Sequence, residues 1–112
     1  MTTKTPVHNR IAELNDAFRR AGPNPDWVLT AGVAERGVVF VALACRAVMA
    51  QTEFASDDDP YGEHDFGAFT LHGEKLFWKI DCYDLALKWG SDDPSDPAIT
   101  RRVMTIMLAT EY

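Results

Sequence analysis

A chain of 112 residues, 46% hydrophobic, 11% aromatic and 25% charged, has the size and composition of one globular domain with one core. Its net charge of −6 is unevenly spread: residues 1–46 carry +2, residues 47–74 carry −7, and residues 75–112 carry −1. An acidic middle argues against direct nucleic-acid binding, which needs basic patches for phosphate, and the longest apolar run, Gly37–Cys45, is too short to span a bilayer.

The first predicted element is an amphipathic helix over residues 6–21. Val7, Ile11, Leu14 and Phe18 fall on one stripe, and Arg10, Glu13, Asn15, Arg19 and Arg20 take the other faces. Thr5 is the expected cap, Pro6 the first helical residue, and Gly22-Pro23 the stop. Trp27–Ala31 then reads as a short strand rich in β-formers. Glu35–Gln51 is long enough to be a helix, with Val38, Val41, Ala42, Cys45, Val48 and Met49 facing inward and little of it exposed.

Two strands, Phe66–Leu71 and Lys75–Cys82, follow the acidic stretch, and parity fixes their pairing. Leu76, Trp78 and Ile80 share one face of the second strand. A two-residue turn at His72-Gly73 or Gly73-Glu74 sets Phe69 and Leu71 beside them, whereas a three-residue turn would set them on the charged face. The last element is predicted as a helix from about Pro97 to Thr110. Asp96 caps it, Ile99, Val103, Ile106, Met107 and Thr110 form its stripe, and Arg101 and Arg102 face outward. The order α-β-α-β-β-α describes a single α+β domain over residues 1–112, with helices on one face of a small antiparallel sheet.

The stretch Glu53–Gly67, EFASDDDPYGEHDFG, gathers six acids around His64, with no Lys or Arg between Arg46 and Lys75. Asp57, Asp58, Asp59, Tyr61 and Glu63, with Phe66 and Phe77 on the sheet face opposite Trp78, form a candidate partner-binding surface, since an aromatic patch with a charged rim suits a protein interface. The same aromatic face would equally serve a homodimer. The hairpin also predicts a second grouping at one end of the sheet: Glu63, His64, Asp65, Lys79, Asp81, Tyr83 and Asp84. Carboxylates with one imidazole suit Mg²⁺ or Mn²⁺, and His64 with Asp65 or Asp81 would suit acid–base chemistry. A third reading makes His64 and Asp65 structural, fastening the loop by hydrogen bonds. No phosphate-binding, dinucleotide-binding or nucleophile-elbow motif is present. Cys45 and Cys82 form no C-x-x-C and read as buried, reduced thiols. With the polar start MTTKTPVHNR, they lead to the expectation of a cytoplasmic protein with no cofactor.

The stretches LTAGV, DPYGEHDFGAF, FWKIDCYD and DPAITRRVMTIMLATEY, with NDAFRR near the start, resemble a bacterial domain family of unknown function. Its members are short stand-alone proteins, often carried on plasmids and other mobile elements, and the resemblance runs from about Ile11 to Tyr112. This chain departs from the family pattern in its apolar middle helix and in Cys82, where an aromatic is usual. The resemblance implies no set activity. It implies a context in which small acidic proteins often inhibit host defence, as anti-restriction or anti-CRISPR proteins do. The resulting expectation is a non-enzymatic module whose carboxylates imitate phosphates and occupy the basic surface of a nuclease or CRISPR complex. The alternative is a small metal-dependent or acid–base enzyme built on His64, Asp65 and Asp81.

Overall fold

The computed structural model describes residues 6–112, so the expected cap at Thr5 lies outside the described residues. Helix α1 (Val7–Arg20) leads to strand β1 (Trp27–Leu29), the single turn α2 (Ala31–Ala34) and helix α3 (Val38–Ala50). Strands β2 (Phe66–Leu71), β3 (Glu74–Tyr83) and β4 (Arg101–Leu108) follow, and a 3₁₀ turn spans Ala109–Glu111. The α+β class holds. The four strands form one sheet in the order β1-β4-β3-β2, in which β2, β3 and β4 are antiparallel neighbours and β1 runs parallel to β4. The sheet is therefore mixed rather than wholly antiparallel.

The hairpin register follows the parity argument. Leu71 faces Glu74 across a His72-Gly73 turn, and Phe69 faces Leu76. Both turn residues have positive φ, 50° and 78°, the backbone that a tight hairpin with right-handed strand twist requires. Gly67 lies opposite Trp78, whose indole rests where a side chain at 67 would stand. The indole N–H donates to Gln51 Oε1 at 2.9 Å.

The predicted last helix is strand β4. Arg102, Met104, Ile106 and Leu108 alternate inward at period two and join Leu76, Trp78 and Ile80 in one core face. Apolar Val103 and Met107 on the other face blur the alternation, and a buried arginine at an inward position disguises it further. The Asp96 signal is a real but local one: its Oδ1 accepts the Ala98 N–H at 2.9 Å, making a turn that does not propagate.

The helices cover the core face. Val33, Phe40, Ala44 and Val48 pack on the sheet from above. Helix α3 is therefore rotated from its expected orientation. Phe40, Ala44 and Val48 point inward, and Val38, expected inside, is 86% exposed. Two arginines expected outside are inside. Arg19 is fully buried: its guanidinium donates to the Val48 and Met49 carbonyls at the end of α3 and to Asp16, and it stacks between Phe54 and Trp78. It satisfies orphan carbonyls that the end of α3 would otherwise bury unpaired. Arg102 donates to Asn15 Oδ1 at 2.7 Å and to the Pro94 carbonyl at 2.6 Å.

Candidate functional site

The acidic segment is strapped to α1 at two points. Asp59 is only 8% exposed, and its Oδ1 accepts the His64 N–H at 3.1 Å. His64 adopts φ 55° there, which turns its ring under the loop. The ring stacks flat on Phe54 at 4.1 Å, with Nδ1 3.0 Å from both oxygens of Asp16 and Nε2 3.8 Å from Asp59. The second strap is Glu63, whose carboxylate lies 2.5 Å from His8 Nδ1 and whose carbonyl accepts from Asn15 at 2.9 Å. Tyr61 stacks on His8 just outside it.

The seven residues expected to converge separate into three arrangements. His64 and Glu63 belong to the straps. Lys79 and Asp81 pair with each other at 3.0 Å, and the Asp81 carboxylate holds the Lys79 ammonium above its usual range. Asp84 accepts the Lys88 N–H at 3.0 Å and closes a surface loop, where Tyr83 bridges to Gly90. Asp65 lies between these groups. Burial pushes its carboxyl above the usual carboxylate range, and the charges of Glu63, Asp59 and Asp81 push it the same way. Among the described residues no three His, Cys, Asp or Glu side chains come together as a metal-ligating group. Nδ1 of His64 pairs with Asp16 and Nε2 lies near Asp59, so the imidazole ties the loop to α1.

The other face of the sheet is different. Among the described residues no helix covers it, and Phe66 and Phe77 lie 5.1 Å apart between ring centres. Tyr112 meets both edge-on, at 5.6 and 5.4 Å. The acidic loop passes beside this triad, and together they bound a cleft of about 420 Å³. Its walls include Asp57, Asp58, Tyr61 and Asp65. Among the described residues neither Asp57 nor Asp58 forms an ion pair. Of the three consecutive aspartates, Asp57 and Asp58 border the cleft while Asp59 is spent on His64.

Sequence reasoning missed Asp16, Asn15 and Tyr112. The first two reach their partners across 48 to 87 residues of chain, and no local pattern marks such pairs. Tyr112 lies past the 3₁₀ turn that follows β4, so strand parity does not place it on the open face.

This is a small α+β domain that presents an acidic and aromatic surface on an uncovered sheet. The chain belongs to the family of proteins of unknown function DUF3768, which it matches over residues 29–111. Comparison with curated proteins and with solved structures gave no match. The family match takes in β2, β3, β4 and the acidic loop, and it stops short of α1 and Tyr112. No helix among the described residues is long and apolar enough to cross a membrane.

Proposed function

We propose that this protein is a non-enzymatic binding module that docks a basic protein surface, and that it inhibits a nucleic-acid-handling defence complex in the cytoplasm. The observation that carries the reading is the cleft between the acidic loop and the Phe66–Phe77–Tyr112 triad. Aromatic faces attract Lys and Arg side chains, and carboxylates without ion-pair partners complete the attraction. Proteins that grip phosphate carry such cationic side chains in rows, so a surface of this kind competes with nucleic acid for the same groove. Tyr61 and Tyr112, both largely exposed, suit the anchor role that interface tyrosines play.

The test is plasmid transformation or phage plating in host cells with an active restriction or CRISPR system, with and without this protein. Wild type is expected to raise efficiency, and Asp57→Asn with Asp58→Asn is expected to abolish the gain while leaving Tm unchanged. Equal protection by the double variant would remove the electrostatic reading. No protection by wild type against any system tried would remove the inhibitor reading.

A further inference from the structure

A second cavity lies away from the acidic cleft, on the outer side of α3. It is a groove of about 540 Å³. Its walls are Trp27 and Leu29 of β1 together with Val41, Ala42, Cys45 and Met49 of α3. With Val38, the α3 residues recur at i, i+3, i+4, i+7 and i+11, a stripe that a helix normally buries. Here a different face, Phe40, Ala44 and Val48, fills the core, so α3 has two apolar faces and one of them opens to the groove. Continuous exposed apolar surface of this kind marks a binding site.

Charge says what kind of ligand would fill it. The chain has 17 acids and 11 Lys and Arg, yet no acid lines the groove, and the one charged residue there is Arg46. Among the described residues Arg46 has no ion pair and no hydrogen bond. Asn24 is the other polar side chain in the lining. Its Oδ1 accepts the Asp26 N–H at 2.7 Å, which leaves its amide hydrogens as further donors. The loop carrying Asn24 begins at Gly22, beside Met49, and Arg46 is one turn before Met49. From Arg46 back to Val38 the apolar wall runs roughly 12 Å, at 1.5 Å per residue.

We infer that the α3 groove binds a free monocarboxylic amphiphile, with the carboxylate on Arg46 and Asn24 and an apolar chain of medium length lying toward Val38. A guanidinium matches a carboxylate with two parallel hydrogen bonds, and the groove volume falls within the range of small-molecule sites. A second copy of this chain fits less well, because it would bring a second Arg46 and no carboxylate from its own groove.

Titration of the full chain with dodecanoate, below its micellar concentration, tests this by calorimetry and by amide chemical shifts. Saturable one-to-one binding is expected, with shifts confined to Trp27–Leu29 and Val38–Met49. Arg46→Glu is expected to weaken binding about tenfold or more, the size of one lost charge-assisted pair, with Tm unchanged. Dodecanol and dodecyltrimethylammonium are expected to bind as weakly to wild type. Ala42→Trp, which fills the groove, should abolish binding, and its own Tm reports whether the variant folds. Equal affinity for dodecanoate and dodecanol would overturn the carboxylate assignment. Absence of saturable binding would overturn the site, and groove shifts that follow protein concentration alone would assign it to a second copy.

Discussion

Helices α1 and α3 break the same rule in opposite directions. Helix α1 carries a fully buried arginine and a fully buried asparagine, and helix α3 carries two valines, Val38 and Val39, mostly in solvent. The difference teaches that side-chain polarity does not decide burial by itself; available partners do. Arg19 and Asn15 are inside because each finds acceptors or donors in several elements at once, which offsets the cost of desolvation. The α3 valines are outside because the sheet has room for one face of that helix, and Phe40 fills it.

The sharpest way to break this contrast is Arg19→Met beside Arg46→Met. Losing Arg19 strands the Val48 carbonyl and leaves Asp16 with His64 alone, and should cost about 3–5 kcal/mol, while Arg46→Met should stay within about 0.5 kcal/mol. Urea unfolding of the two variants measures this, and equal losses would show that the buried arginine is not supporting α3. Next in size is Asn15→Leu, nearly isosteric but unable to accept from Arg102 or donate to Glu63. A loss of about 1–3 kcal/mol is expected from the unpaired groups. A neutral result would mean that apolar filling suffices at that position and would dissolve half of the comparison.

Asp65 sharpens the contrast through pH. Its folded-state carboxyl is raised, so the folded chain holds that proton more tightly than the unfolded chain does. Stability is therefore lost as pH rises from the usual carboxylate range through the raised folded-state value. Asp65→Asn should raise Tm at pH 7 and the gain should vanish in acid; a gain that persists in acid would mean the charge is not its source. Smallest of all is Val38→Ser with Val39→Ser, expected to shift stability by about 0.5 kcal/mol or less, since neither side chain leaves a packed site. A large loss there would show that the exposed stripe supports the fold itself.

How legible each part was follows from the range of the interactions that built it. The β2–β3 hairpin is local, and a period of two narrows its turn to His72-Gly73 or Gly73-Glu74, of which the structure has the first. The α3 segment was recognisable as a helix, but its inward face was not, because apolar residues surround it and only the sheet selects among them. The sequence of β4 predicts a helix because Ile99, Val103 and Ile106 fit a helical stripe as well as Arg102, Met104 and Ile106 fit a strand once a buried arginine is allowed. The sequence offers a structural role for His64 but not its partner: Asp16 is 48 residues away, whereas hairpin geometry points to Asp65 and Asp81. Parity places Phe66 and Phe77 together opposite Trp78, but whether a helix covers that face is a matter of tertiary packing that the sequence leaves open.

The parallel pairing of β1 with β4 bears on how the chain reaches this state. It joins Trp27 to Met104 and Leu29 to Ile106, and Glu111 tightens the same closure by accepting from Thr30 at 2.6 Å and from the Gly32 and Leu108 amides. Those hydrogen bonds hold the Glu111 carboxyl below its usual range. Such a closure spans most of the polypeptide, so its entropic cost falls late, after the β2–β3 hairpin has formed. The expectation is a polarised folding reaction: Asp26→Asn, which breaks the Asp26–Arg101 pair beside this seam, should speed unfolding and leave the refolding rate nearly unchanged in stopped-flow measurements. During synthesis β1 and the Phe40–Ala44–Val48 face of α3 emerge well before β4, so a ribosome-bound chain would hold that face uncovered until its last strand arrives.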